Sequence, residues 1–481
     1  MIDNIKKNYI YNLCYQVLIV IIPLVMTPYI SRVLGSTNLG IYDYCLSIST
    51  LIVTFSLLGI GNYGNRQIAY TRNNKESLSK TFYEILCGKL FLGIIALIIF
   101  AMVCYFNKMY YKYLIVFLIW IIANILDCTW LYLGVEDMQY TVAKNIIAKL
   151  IFVGGTFIFI RDKSDLSLYI FLFGISVLIA NLLAYTQVPK YVNKCSISFR
   201  NMYIHIWNSF KLFIPTVTTQ IFLSIDKMIL GSMSDNISNV SIYSNADKII
   251  QIPLSLITVM NVVMMPRLAN EFSKNNKDKI NEHLINSAEI SMFMAFPICL
   301  GLFVVSDNLI PWFLGDEFFE SINTLKLLTP VVIGNTLIGI SANQYFIATN
   351  QNKILIISSV CSTCINLILD IALVPIYGVK GICIATVLSI IITVVIQYHY
   401  MNKQLKIKSI YLAMYRYFIY SVFMSLCIFF ITSKMKPSPI CTLLQVVLGG
   451  IIYISICIIK KDKVIMELIS MVKVIIYKNK G

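Results

Sequence analysis

Two pairs of adjacent opposite charges, Asp226-Lys227 and Asp247-Lys248, sit inside long apolar runs of this sequence. A charge at the centre of a membrane helix costs about 2.5–3.5 kcal/mol on insertion scales, so it must face protein or water. Neighbours at i and i+1 point about 100° apart on a helix, so neither pair neutralises itself. At least one member of each pair needs a partner on another helix or a wet cavity. Arg32, Asp43 and Asp370 fall in the same outer third of the membrane, whereas Arg66, Lys89, Asp127, Lys144 and Lys149 fall toward the inner side. The chemistry on offer is binding. Arg and Lys hold anions, phosphate above all, and a carboxylate at membrane depth can bind a coupling ion. Arg32, Arg66, Lys227 and Lys248 are therefore the candidate substrate-binding residues of a cationic cavity. Asp43, Asp226, Asp247 and Asp370 are the coupling or ion-pair candidates. For Lys89, Lys144 and Arg416 the plainer reading applies: interhelical ion pairs and lysines that snorkel to an interface. On that reading Lys227→Ala or Lys248→Ala costs more function than Lys144→Ala.

The elements that must position these groups are membrane helices. The 481 residues are 58% hydrophobic and 13% charged, against roughly a quarter charged in a soluble domain. The apolar residues form continuous runs of about 18–25, enough to cross a hydrocarbon core about 30 Å thick. Continuous rather than alternating runs favour helices over a barrel. The pattern predicts an all-α polytopic membrane protein with about 14 spans. They lie near 9–30, 39–61, 82–106, 113–135, 140–160, 166–187, 209–233, 240–266, 285–307, 322–348, 354–375, 380–400, 411–432 and 440–459. With the N-terminus inside, inner segments carry about 23 Lys/Arg and outer ones about 8, so both termini are expected in the cytoplasm.

The net charge of +16 is spread over short loops, not gathered on one folded face, which argues against nucleic acid and for an inner-leaflet surface. Most of the 13 Cys lie in apolar runs and read as small buried hydrophobes, Cys361 and Cys364 included. His205, His283 and His399 share no metal-ligand spacing. Lys6 and Lys7 precede a run too long for a signal-peptide core, so an uncleaved first helix is expected. No P-loop signature occurs. Pro23, Pro28, Pro215, Pro253, Pro297 and Pro330 fall inside spans and are expected to kink them. Beyond Lys460, Val464, Ile465, Leu468, Met471, Val472, Ile475 and Ile476 recur at helical spacing, an amphipathic helix for the inner leaflet. Residues 198–208, with Phe199, Tyr203, Ile206 and Trp207, read the same way. Leu34-Gly35-Ser36 and Leu230-Gly231-Ser232 form a faint repeat. It suggests two six-helix lobes, 1–205 and 206–405, with two further helices and a basic tail in 406–481, and a binding cavity between the lobes.

An ordered set of motifs carries a resemblance. It begins with Pro23-x4-Pro28-Tyr29-Ile30-Ser31-Arg32-Val33-Leu34-Gly35, Leu39-Gly40-Ile41-Tyr42 and Gly59-Ile60-Gly61-Asn62-Tyr63-Gly64-Asn65-Arg66. It continues with Trp130 and Gly134-Val135-Glu136-Asp137-Met138, then Ser224-Ile225-Asp226-Lys227 through Leu230-Gly231, and Tyr243-x2-Ala246-Asp247-Lys248. Gln344-x2-Ile347-Ala348, Asn366 and Pro375-x2-Gly378-x2-Gly381 complete it. Over nearly its whole length the chain resembles the Wzx-type polysaccharide flippases of the multidrug/oligosaccharidyl-lipid/polysaccharide (MOP) exporter superfamily. It departs from them at Ser241-Ile242-Tyr243, where a typical member has Gly-Tyr. The resemblance implies a two-lobed alternating-access fold that moves undecaprenyl-pyrophosphate-linked oligosaccharide repeat units to the outer leaflet. It implies membrane lipids, a polysaccharide polymerase and a chain-length regulator as partners, and no cofactor, metal or catalytic residue. The alternatives are a cell-wall lipid-precursor flippase or a cation-coupled drug antiporter of the same superfamily, and, from another class, a membrane-embedded glycan polymerase.

Overall fold

The computed structural model describes the backbone of residues 2–274, 277–405 and 407–478; the side chains of 1–20, 138, 211–212, 214–219, 221–223, 262–263, 277 and 471–478 lie outside it. Pro215, Met471, Val472, Ile475 and Ile476 are therefore outside the described side chains. The described residues form helices and no strand. In chain order these are α1 (Ile2–Leu57), α2 (Ile60–Thr71), α3 (Lys75–Phe106), α4 (Tyr111–Ile125), α5 (Thr129–Gly134), α6 (Met138–Phe159), α7 (Leu166–Tyr185), α8 (Val188–Tyr191) and α9 (Phe199–Met233). Then come α10 (Ser238–Ser273), α11 (Lys277–Phe313), α12 (Glu320–Leu328), α13 (Pro330–Ile338), a π-helical stretch Gly339–Phe346, α14 (Asn352–Tyr377), α15 (Val379–Asn402), α16 (Lys408–Thr432), α17 (Pro439–Ile459) and α18 (Lys463–Lys478). They divide into two compact units, Met1–Ser241 and Ile242–Gly481.

Twelve helices among the described residues are long and apolar enough to cross a membrane. The first of these stretches, Ile21–Leu57, takes in parts of the first two expected spans, and the backbone of α9 covers the seventh, so the twelve are roughly consistent with the fourteen expected. The first two spans join in α1 because the break between them is a single residue, Gly35, at φ 76° and ψ 174°. Without a Cβ, glycine enters that left-handed region at no steric cost. Gly231, its counterpart in the faint repeat, has a different task. It lies inside α9, where an added Cβ would sit 2.2 Å from the Tyr44 ring, so the same tripeptide makes a kink once and a close helix contact once.

Other departures have local causes. The fourth span is interrupted between α4 and α5 at Leu126-Asp127-Cys128, where Asp127 Oδ1 accepts the Thr129 N–H at 3.3 Å as an Asx turn. The tenth is divided at Thr329-Pro330, since Pro330 lacks the N–H a continuous helix needs, and it ends in the π-helical stretch. The basic connection at 62–81 is mostly helical, as α2 and the first turns of α3. Residues 198–208 are the first turns of α9, begun by the Ser198 side chain accepting the Asn201 N–H.

Exposure runs opposite to that of a soluble bundle. Ile98, Ile368 and Leu443 are 51%, 64% and 65% exposed, while Lys89, Asn181, Asn366 and Asp370 are buried. Lipid takes the outer surface, and polar groups find partners inside. In the second unit α18 is docked at its start. Val464 and Ile465 are buried, and Asp462 accepts from Tyr417 Oη (3.1 Å) and the Val464 N–H (3.0 Å). Arg416 Nε lies 3.2 Å from Asp462, and Lys463 Nζ donates to Asn286 at 2.7 Å. Arg416 thus forms ion pairs, the first half of its plainer reading. Asp462→Ala should release this joint. Trypsin cleavage at Lys460–Lys463 in membranes is expected to quicken at least about tenfold, one buried charge-assisted bond's worth; an unchanged rate would mean the joint does not hold α18.

Candidate functional site

In the first unit, Arg32 lies just before the Gly35 break. It is exposed, and its guanidinium donates to the Pro28 carbonyl at 3.0 Å. Asp43, on the far side of the break, is buried. Arg66 is exposed on α2, 5.8 Å from the centre of the Tyr63 ring. That ring is held from below. Tyr63 Oη and His205 Nδ1 share a hydrogen bond of 2.8 Å, His205 Nε2 lies 3.3 Å from Glu84 Oε2, and Asn201 Nδ2 donates to Glu84 Oε1 at 3.0 Å. Glu84 is 3% exposed. A buried carboxylate on α3, a histidine on α9 and a tyrosine on α2 therefore fix the ring beside Arg66. Sequence reasoning gave no role to Glu84, His205 or Asn201. The signal was present in a carboxylate within an apolar run, but its partner lies 121 residues away.

Asp226 is 2% exposed while its neighbour Lys227 is half-buried, the divergence that adjacent helical positions require. In the second unit, Asp247 is half-buried and accepts from Gln251 Nε2 at 3.1 Å, and Lys248 is exposed. Asp370 on α14 is wholly buried, one turn after Asn366, also wholly buried. Neither polar atom of the Asn366 amide has a hydrogen-bond partner among the described residues. A carboxylate and an amide one turn apart on one helix face can take a proton or a hard monovalent cation. Nearby in sequence, the π-helical stretch turns Gln344 to donate to Asn261 Oδ1 at 2.8 Å, and a Cβ on Gly339 would sit 2.4 Å from the same amide.

Among the described residues, the most completely buried cations of the first unit are the ones set aside from the sequence. Lys89 and Lys144 are 3% and 6% exposed. Both turn inward to the break between α4 and α5. Lys89 Nζ donates to the Asp127 carbonyl, freed by that break, and Lys144 Nζ to the Asp127 carboxylate. Lys144 also donates to Asn181 Oδ1 at 2.6 Å, and Asn181 Nδ2 donates to the Ala123 carbonyl at 2.7 Å. Lys89 and Lys144 therefore do not snorkel: the ion-pair half of the plainer reading holds for Lys144 with Asp127, Lys89 hydrogen-bonds a backbone carbonyl instead, and the interface half holds for neither. The Asp-x-Thr at 127–129 was the available sign of a helix break with a carboxylate at it.

Long apolar helices carrying exposed arginines and lysines, with carboxylates and amides turned inward, define a multi-pass membrane protein. Among solved structures, that of the lipid II flippase MurJ in an inward closed conformation aligns with a TM-score of 0.68 at 18% identity, covering 92% of this chain and 99% of that one. This is the MOP-superfamily fold. The family model described as polysaccharide biosynthesis protein matches residues 5–272, and that described as lipid II flippase MurJ matches residues 146–449. The putative O-antigen transporter of Escherichia coli (strain K12) is 25% identical over 279 residues, which span 56% of this chain and 66% of that protein. The one of Shigella dysenteriae is 25% identical over 399 residues, 80% of this chain and 96% of that protein. The chain belongs to the polysaccharide biosynthesis protein family, that of the Wzx-type flippases.

Proposed function

We propose that this protein is a flippase that carries undecaprenyl-pyrophosphate-linked oligosaccharide repeat units from the cytoplasmic to the outer leaflet of a bacterial inner membrane, for capsule, O-antigen or exopolysaccharide assembly. The observation that carries the reading is the family match over residues 5–272. The chemistry supports it. A sugar cannot cross hydrocarbon without a hydrophilic lining, and a pyrophosphate is an anion that Arg and Lys hold well. Arg32, Arg66, Lys227 and Lys248 are the proposed lining of a cationic cavity. Asp43, Asp226, Asp247 and Asp370, with Asn366 beside the last, are the proposed coupling sites. The cycle is alternating access, with the six-helix lobes 1–205 and 206–405 as the moving parts and 406–481 as an addition. Both termini are cytoplasmic in this reading, no covalent step is involved, and a polymerase and a chain-length regulator take over the product.

The match of the MurJ model over residues 146–449 favours a second reading, a cell-wall lipid-precursor flippase. Gene deletion separates the two. The proposal expects loss of a surface glycan with growth and peptidoglycan intact, restored by the wild-type chain. Arrested wall synthesis with the glycan still made would select the second reading.

A further inference from the structure

Within the first unit, α1, α3 and α9 line an open, groove-like cavity of about 870 Å³. Its walls are almost entirely apolar, including Ile48, Ile52, Phe55 and Val103, and no carboxylate lines it. Several of its lining residues keep access to the surroundings: Phe55, Ile99 and Phe106 are 45%, 41% and 81% exposed. One end differs in chemistry. There the turn after α3 brings Asn107 and the exposed Lys108 to the mouth. Asn107 Nδ2 donates to Tyr44 Oη at 3.3 Å, which ties that turn to the start of the α1 wall. Lys112, also exposed, follows one turn later. From Tyr44 the α1 wall descends to Ser56, a distance of about 18 Å at 1.5 Å per residue. The hydrocarbon of one leaflet is about half of a 30 Å core, so the slot matches the depth of one leaflet, with cations at the headgroup end.

We propose that this cavity binds an acyl chain of an anionic phospholipid from the leaflet that the α3–α4 turn faces, with the lipid phosphate held by Lys108 and Lys112 beside Asn107. The occupant is fixed by charge and length together. A zwitterionic lipid gains less from the two ammonium groups, because its own headgroup cation already offsets its phosphate, and a chain matched to one leaflet fills the slot from mouth to base. A bound chain completes the packing between α1, α3 and α9. The site is separate from Arg32, Arg66, Lys227 and Lys248, and it stands or falls independently of the cargo proposed above.

The test uses the full chain in nanodiscs of phosphatidylcholine doped with phosphatidylglycerol bearing a photoreactive diazirine in its acyl chain, with cross-linked peptides mapped by mass spectrometry. Labelling is expected to concentrate on residues 44–56 and 99–109 and to be competed by unlabelled phosphatidylglycerol but not by phosphatidylcholine. Lys108→Ala should weaken that competition about fivefold, the effect of one lysine near an anionic surface. Lys434→Ala, an exposed lysine in the second unit, should leave it unchanged. Val103→Trp, which fills the slot, should remove the label even where Lys108 is intact. Labelling spread evenly over the apolar exterior, equal competition by the zwitterionic lipid, or preferential displacement by a polyprenyl phosphate would each overturn the proposal.

Discussion

Asp127→Ala is expected to lower the stability of the first unit by about 3 kcal/mol, the low end of the range for removing one partner of a buried ion pair. The low end applies because the Asp127 side chain keeps 30% exposure while that of Lys144 keeps 7%. Without the carboxylate, Lys144 retains only Asn181, and Lys89 still donates to a carbonyl beside an uncompensated cation. Both ammonium groups then sit in protein of low polarity with no counter-charge. Replacing Lys144 by Met in the same chain removes one of the two orphaned charges and should recover part of the loss. Reversible unfolding in mixed micelles of the two single variants and the double variant measures this as a coupling energy. A loss under about 1 kcal/mol, or strictly additive effects, would show that the break between α4 and α5 holds without its charges.

The second large effect falls on transport. Arg66→Ala, Lys227→Ala and Lys248→Ala should each reduce flipping about tenfold or more at normal protein level, since a hydrogen bond to a charged group contributes about 1.5–3 kcal/mol. Arg66→Lys should recover only part, because a point charge cannot reproduce the planar two-pronged contact with a phosphate. The mild control expected from the sequence, Lys144→Ala, is unsuitable. Its ammonium is buried against Asp127 and Asn181, so the variant should lose folded protein rather than show a selective effect. Lys434, exposed in the turn after α16, is the proper comparison. Equal and negligible losses for Arg66, Lys227 and Lys248 would remove the cationic lining from the account.

Much of the fold was legible because a bilayer constrains it so heavily. Long uncharged runs have few options in hydrocarbon other than helix, so α3, α7, α11 and α14 through α17 fall where the apolar runs lie. Gly35 could be singled out, but its conformational role could not. Whether a glycine makes a kink or a close contact depends on what lies opposite, and opposite Gly231 lies Tyr44, distant in sequence. The helix break inside the fourth span escaped a hydropathy reading, since three residues such as Leu126-Asp127-Cys128 barely lower the mean of a window, whereas Pro330 marked the one inside the tenth. The charges were located correctly along the chain, but their orientation was not. Lys89 and Lys144 occupy positions from which a lysine could reach an interface, yet each faces Asp127 instead. Direction around a helix is fixed by neighbours from other helices, as with Glu84 and His205, and one sequence does not name those neighbours.

Purified protein reconstituted into liposomes with a fluorescent polyprenyl-pyrophosphate oligosaccharide, probed by a quencher that cannot cross the membrane, tests the account most directly. It predicts translocation that depends on the protein, is slowed at least tenfold when Arg66, Lys227 and Lys248 are replaced together, and is not matched by the same lipid without its pyrophosphate. Translocation at the wild-type rate by the triple variant, or none by the wild-type chain under any applied ion gradient, would contradict it.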